Sequence, residues 1–509
     1  MTSRNLTGEA FPISEAPPAK AAARRRAFPA DFAWPAAFRR RIWIFLAVLL
    51  ALRLIAMAGL PLVDTTEARY AEIARKMVET GNWITPQFDY GVPFWGKPPL
   101  HTWLSALGME AFGIHAFAAR LPVLAVSLAI LALVHGWTAR LLGPNRALAA
   151  TAILSSMALF WGASAFVMTD MPMVLGLVLV MVGFWRATQE EESAPLWGYA
   201  VFLGLAMGLM AKGPVAIALV VVALVPWLTI RRAWGDLRRL PWAGGTLLLI
   251  LLVVPWHLAA EIATPGFLRY FLWGEHVQRF LVPGWSGDLY GSAHLRPKGW
   301  IWPMALMIAL PWSLLAPALI LRRRSRGLEG LAALPSGFAS WLFCWILAPL
   351  IFFTPAGNIL PAYALPALPA AAILMAAAPG ADLPQGLLRR LTALGLGLVG
   401  IAAVAVGLVS LAPETLRLKS HEALAEAARP WLREDPLYVL GRRSFSAEFY
   451  TAGRARSVKP EDLAALAAGP RPVALSAPVG QAAQVEAEGF RPVGRFGRHE
   501  LFVSGGETP

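Results

Sequence analysis

The chain has 509 residues, 57% hydrophobic and only 15% charged, where a soluble domain carries about a quarter charged residues. Its apolar runs reach the roughly 20 residues that a bilayer-spanning helix needs, which excludes a soluble enzyme and indicates an all-α polytopic membrane protein. The net charge of +14 sits in Arg clusters between apolar runs, the pattern of cytoplasmic loops, which argues for a bilayer partner and against nucleic acid.

Residues 1–41 are rich in Ala, Pro and Arg and lack the apolar core of a signal peptide. They read as a disordered cytoplasmic tail. Eleven spans are predicted, at 42–62, 118–140, 147–166, 169–187, 196–211, 213–230, 242–260, 300–321, 334–353, 359–378 and 391–411. With the N-terminus cytoplasmic, the Arg-rich joints at 140–146, 231–239, 322–326 and 389–390 all fall on the cytoplasmic side. The joints 63–117, 166–169, 211–213, 261–299 and 354–358 then face outward, together with everything after 411.

Two outward loops, 63–117 and 261–299, are long enough to expect function or structure of their own. Residues 64–80 have helical periodicity, with Tyr70, Ile73, Met77 and Val78 on one face, Glu67, Glu72 and Lys76 on the other, and Gly81 as terminator. The simplest reading is an amphipathic helix lying on the membrane. In the second loop, Arg269, Glu275, His276 and Arg279 fall within eleven residues of "LRYFLWGEHVQRFL". Glu275 and Arg279 have the spacing of a helical ion pair, and His276 beside one Glu is a weak metal-ligand set. The sharper reading is a basic pocket for a phosphate.

Ionisable groups at membrane depth are functional candidates by default. Asp170, Lys212, His257 and Arg53 stand out, and the topology puts Asp170 and Lys212 on the side of the two long loops. The simplest readings are a helix cap for Asp170, snorkelling for Lys212, and structural roles for Arg53 and His257. A third outward joint, "FFTPAGNILPAYALPALPA" at 352–370, offers Asn358 and Tyr363 among four prolines. Broken helices at such depth need protein or a cavity around them. Residues 412–509 read as a small outward (periplasmic) α/β domain, with strands in "PLYVL", "PVALSAP" and "GRHELFV" and no catalytic motif. The single cysteine, Cys344, reads as a core residue.

Eight blocks in order, "TTEARYAEIARKMVETGNWITPQF", "FWGKPPLHTWL", "TDMP", "MAKGPVAIAL", "PWHLA", "PGFLRYFLWGEHVQRF", "LPW" and "ILPAYALPALPA", resemble the lipid A aminoarabinose transferases and their relatives. These form the bacterial branch of the protein O-mannosyltransferase-like family. The resemblance runs from about 42 to 380. It implies a GT-C fold for 42–411, and transfer of a sugar from undecaprenyl or another polyprenyl phosphate to a periplasmic envelope acceptor such as lipid A or lipopolysaccharide. It also implies an inner-membrane location with the active site facing the periplasm.

By the same resemblance, Lys97 and Arg279 hold the carrier phosphate, Arg69, Tyr70 and Tyr363 line that site with Lys212 nearby, and Asp170 is the second of two catalytic carboxylates. The first lies in the family's "DETRYAEI". Here Thr66 stands at the Asp position, with Glu67 following and Asp64 two residues earlier. That leaves Asp64 and Glu67 as alternatives, with Asp64 preferred. No cofactor is expected, and a divalent cation has weak support because Gly96 stands where relatives often carry an acidic residue. The alternatives are a protein O-glycosyltransferase of the same fold and a transporter of a lipid-linked substrate. The transporter would be expected to show paired inverted halves, and the sequence has no internal repeat.

Overall fold

The computed structural model describes residues 31–190, 195–282, 284–291, 295–321, 331, 333–378, 385–410, 418–432 and 435–505. All eleven predicted spans are helical over most of their length. They correspond to α1 (Ala36–Gly59), α4 (Ala116–Leu142), α5 (Pro144–Ser155) with α6 (Ala158–Ala163), α7 (Asp170–Gln189), α8 (Leu196–Lys212), α9 (Val215–Arg231) and α10 (Trp242–Ala263). After α11 (Arg279–Leu281) follow α12 (Ile301–Ile308) with α13 (Trp312–Leu321), α14 (Phe338–Phe353), a 3-10 turn Pro361–Ala367 running into α15 (Leu368–Ala377), and α16 (Gln385–Ser410). Among the described residues, five helices have the length and apolarity to cross a bilayer unaided, and four shorter ones are also apolar. On α10, Leu247, Leu251 and Ile262 present apolar side chains outward, as a lipid-facing helix does.

Two predicted spans are broken, and the breaks satisfy one another. The Ala158 N–H at the α5–α6 break donates to Leu310 O at 3.0 Å, and Trp312 Nε1 donates to Ser156 Oγ at 2.9 Å. Irregular backbone at this depth is thus enclosed by protein. The α7–α8 pair packs closely. A Cβ on Gly176 would lie 2.5 Å from Gly204 O, and one on Gly204 would lie 2.4 Å from Gly176 O. Small residues let these backbones approach. Because the helices are antiparallel, the start of α7 and the end of α8 meet.

Residues 31–35 depart from the expected disordered tail, while 1–30 lie outside the described residues. Phe32 and Trp34 are buried, and the Asp31 carboxylate accepts from the N–H groups of Asn145 and Arg146 at 2.9 and 3.0 Å. Asp31 thereby satisfies orphan donors at the start of α5. The Arg clusters at 24–26 and 322–324 also lie outside the described residues.

The long connection between α1 and α4 carries α2 (Thr66–Thr80), a hairpin of β1 (Gln87–Asp89) and β2 (Val92–Pro93), and α3 (Leu100–Phe112). Beyond residue 417, helices α17 (Glu422–Ala428), α18 (Phe445–Tyr450), α19 (Leu463–Ala467) and α20 (Ala482–Ala487) flank a five-stranded mixed sheet. Its strands are β3 (Leu437–Leu440), β4 (Ala455–Val458), β5 (Ala474–Pro478), β6 (Phe490–Phe496) and β7 (His499–Ser504), in the order β4-β3-β5-β7-β6. The predicted boundary at 411/412 lies outside the described residues.

α2 is not a solvated amphipathic helix. Glu67, Glu72, Arg75 and Lys76 are all at most 2% exposed. The polar side of α2 is covered by α18: Lys76 Nζ reaches Glu448 Oε2 at 3.1 Å, and Arg75 Nε donates to Glu72 at 2.6 Å. The charged face expected to meet solvent is therefore an internal interface, with its charges paired as burial requires.

Candidate active site

Lys97 sits in the bend between the β1–β2 hairpin and α3. Neighbouring aromatic residues fix the bend: the Trp95 N–H donates to Tyr290 Oη at 3.0 Å, and Tyr290 Oη donates to Pro93 O at 2.9 Å. A Cβ on Gly96 would lie 2.9 Å from the Phe94 ring. Pro98 and Pro99 restrict the backbone that follows.

Arg269–Gln278 is a π-helix, a local form common at functional sites. It presents Glu275, with Arg279 just beyond its end. Glu275 Oε1 accepts from both Lys97 Nζ and Arg279 Nη1. Two cations 182 positions apart in sequence therefore share one carboxylate oxygen. Arg279 Nε lies 3.3 Å from Asp288. Burial works to raise the Glu275 pKa, but Lys97 and Arg279 outweigh it and hold the carboxyl below its ordinary value. Burial pushes the Lys97 ammonium down, against the attraction of Glu275.

Asp170 opens α7 and Lys212 closes α8, and the two pair directly. Each stands at the helix end whose dipole favours its charge. Lys212 Nζ also lies 4.7 Å above the Tyr363 ring. Both His276 ring nitrogens contact main-chain carbonyls, Phe271 O at 2.7 Å and Lys212 O at 3.0 Å. The residue thus anchors the end of α8 rather than offering a metal a free nitrogen. Arg69 lies over the Tyr70 ring at 5.2 Å and donates to Tyr290 O at 2.6 Å. Burial raises the Tyr70 pKa, and Asp170, Lys212 and Glu275 all act on it electrostatically.

Lys97, Lys212, Glu275, Arg279, Asn358 and Tyr363 line one cavity of about 300 Å³. Its other walls include Val215, Leu272, Phe280, Phe352 and Phe353. One end is ionic and the other aromatic and aliphatic. Of the lining residues, Lys97 and Arg279 pair with Glu275, Lys212 with Asp170 and Arg279 with Asp288, whereas Asp170, Asp288, Arg69 and Tyr70 do not themselves line the cavity.

The two first-loop carboxylates are engaged elsewhere, and neither lines this cavity. Glu67 binds Arg120 through both oxygens, each at 2.8 Å, and Arg120 also donates to Met57 O, Leu60 O and Pro61 O. Asp64 accepts from Ser444 Oγ, Ser446 Oγ and Ser446 N at 2.8, 2.6 and 3.0 Å. Burial pushes the Asp64 carboxyl up, opposed by those serine hydrogen bonds. Asp64, His421 and Ser446 have the composition of a hydrolase triad, but Ser446 is fully buried. Burial, with His499 beside it, also pushes His421 down to about 3. The cluster is a polar joint between the first loop and the sheet domain. The sequence shows Glu275 as the helical ion-pair partner of Arg279, which the structure bears out, but not as the partner of Lys97, which is distant in the chain. Among the described residues no three His, Cys, Asp or Glu side chains group as a metal site would need.

The fold and this site define a polytopic membrane protein with a cavity that is ionic at one end and apolar at the other. The family model for dolichyl-phosphate-mannose-protein mannosyltransferase matches residues 41–271. The undecaprenyl phosphate-alpha-4-amino-4-deoxy-L-arabinose arabinosyl transferase of Edwardsiella ictaluri is 35% identical over 388 residues, 73% of this chain and 65% of the relative. That of Aeromonas salmonicida is 31% identical over 397 residues, 76% and 69%. The chain thus spans less than two thirds of the Edwardsiella relative's length. The crystal structure of ArnT from Cupriavidus metallidurans bound to undecaprenyl phosphate superposes with a TM-score of 0.74. It does so at 21% identity and covers 92% of this chain and 99% of that one. The chain belongs to the ArnT-like family of undecaprenyl phosphate-aminoarabinose arabinosyl transferases.

Proposed function

We propose that the protein is an integral membrane glycosyltransferase that takes a sugar from undecaprenyl phosphate, or another polyprenyl phosphate, and transfers it to an envelope glycolipid such as lipid A. The observation that carries this reading is the convergence of Lys97 and Arg279 on one oxygen at the ionic end of an otherwise apolar cavity. A carrier phosphate needs such a grip, and its polyprenyl tail needs apolar walls. As the sugar–phosphate bond breaks, its electron pair passes to the phosphate, and Lys97 and Arg279 stabilise the growing charge in a shielded site. Glu275 keeps the two cations converged, at the cost of competing with the phosphate for them.

Asp170, held by Lys212, takes the proton of an acceptor hydroxyl or steadies positive charge at the anomeric carbon. Single displacement with inversion is the simplest scheme. The position of the site on the side opposite the Arg-rich joints supports chemistry on the periplasmic face of the bacterial inner membrane.

The test is to incubate the purified protein with a sugar-loaded undecaprenyl phosphate and lipid A, and to measure free carrier phosphate and glycosylated lipid. Release that depends on Lys97 supports the reading. Binding of the carrier without any release, with every envelope acceptor supplied, would sink it and favour a transporter.

A further inference from the structure

A second pocket, of about 430 Å³, lies on the other side of the same π-helix. Leu272, Glu275 and His276 face the carrier cavity, whereas Arg269, Tyr270, Trp273 and Gln278 face this one. The two cavities share no lining residue. Trp285 closes the second pocket and is built into place. Its ring packs where a Cβ on Gly274 or Gly287 would come within 2.7 or 2.3 Å. Tyr270 stands 6.0 Å from Trp285 and 6.0 Å from Trp95, ring to ring, and its Oη accepts from the Leu289 N–H at 3.1 Å. The aromatic wall is therefore fixed before any ligand arrives. Tyr270 links it to the segment that carries Lys97.

The chemistry of the lining selects a ligand class. Trp273 is 58% exposed. Aromatic faces are electron-rich and attract the C–H face of a sugar ring. Arg269 is exposed and has no hydrogen-bond, ion-pair or ring partner among the described residues. Its planar fork suits a phosphate or carboxylate. The Gln278 amide supplies both a donor and an acceptor for hydroxyl groups.

We propose that this pocket is a subsite for the headgroup of the acceptor, a phosphorylated saccharide. Carrier and acceptor then approach from opposite sides of one helix. The proposal rests on the transfer reaction above, because only a second substrate requires a second site.

The test uses full-length protein in nanodiscs and a delipidated bis-phosphorylated glucosamine disaccharide as probe. The parent protein binds it. Arg269→Ala and Trp273→Ala each weaken binding by about tenfold or more, as expected for loss of a charge-assisted contact or a stacked ring. Undecaprenyl phosphate binding stays unchanged in both, which also shows that the variants are folded. In turnover, KM for the acceptor rises while KM for the donor does not. Trp273→Phe restores most of the binding. Equal probe binding by all variants would overturn the subsite and leave Trp273 as an interfacial anchor. Inorganic phosphate binding as tightly as the probe would overturn the saccharide half of the proposal. If the parent binds the probe but releases no carrier phosphate, the transfer reading fails while the subsite stands.

Discussion

Lys97, Arg279 and Glu275 form the smallest unit on which the proposed chemistry rests. Losing one charge-assisted contact to an ionised group costs roughly 1.5–3 kcal/mol, about a ten- to hundredfold loss of affinity. Lys97→Ala and Arg279→Ala should each weaken carrier-phosphate binding by that much in a titration. The double variant should lose less than the product of the two, since both groups act on one ligand. Parent-like binding in both single variants would place the phosphate elsewhere, and Lys212 with Arg69 would be the next pair to test. The pH dependence adds an independent check. Burial lowers the Lys97 pKa, so its charge is present at lower pH and lost as pH rises, before an ordinary lysine would lose it. Carrier binding should therefore fall on an alkaline limb that begins below the usual Lys value. In Lys97→Arg that limb should disappear, because a guanidinium stays protonated. Affinity should return only in part, because a planar fork does not replace a point charge. A binding profile flat through the alkaline range in the parent would remove Lys97 from the site.

At the scale of elements, one staple and one close contact place the site. Glu67 and Arg120 join the start of α2 to α4, and Arg120 also caps the carbonyls that end α1. Removing one partner of a buried pair costs about 3–5 kcal/mol, because the other charge is left uncompensated. Glu67→Gln should therefore lower the unfolding temperature in nanodiscs, while the folded fraction binds carrier like the parent. Asp170→Asn should do the reverse, removing most turnover with expression near normal. If Glu67→Gln keeps its stability and loses its turnover, Glu67 is a chemical group after all. The family resemblance pointed to an acidic residue near α2, but the sequence could not show which side chain each carboxylate meets. Arg120 is 53 residues from Glu67 and reads as an ordinary residue of a span. Asp170 and Lys212 were legible because their flanks are apolar and the Arg clusters put them on one side. The α7–α8 glycines that bring them together carry no signal until the helices are paired.

At the scale of the whole molecule, the spans were legible because burial in lipid demands long apolar runs. The role of the last hundred residues was not, because it depends on contacts across the full length of the chain. The sheet domain covers α2, the helix that carries Arg69 and Tyr70 toward the site. Its buried contacts are partly apolar, with Phe445 and Phe449 packed in one cluster with Tyr70, Ile73 and Met77, and partly polar, with Glu448 on Lys76 at 3.1 Å and Ser444 and Ser446 on Asp64. An ion pair held away from water depends on both partners. Without Glu448, Lys76 keeps its hydrogen bond to Phe88 O at 3.2 Å and the longer contacts to Glu72 at 3.4 Å and Asp89 at 3.7 Å. Glu448→Ala should therefore loosen the domain from α2, and α2 amides should exchange hydrogen faster. Small displacements of positioned groups can cost up to a hundredfold in rate, so turnover should fall by roughly ten- to a hundredfold. Carrier affinity, proposed to rest on Lys97 and Arg279, should move little. Asp64→Ala, which removes the other half of the joint, should give the same pattern of fast exchange and slow turnover with carrier binding intact. That would make Asp64 a positioning residue, whereas a complete loss of turnover with α2 exchange unchanged would return it to the chemistry. If both variants keep parent turnover and exchange, the domain merely rests on the catalytic half, and the buried charges of α2 serve folding alone.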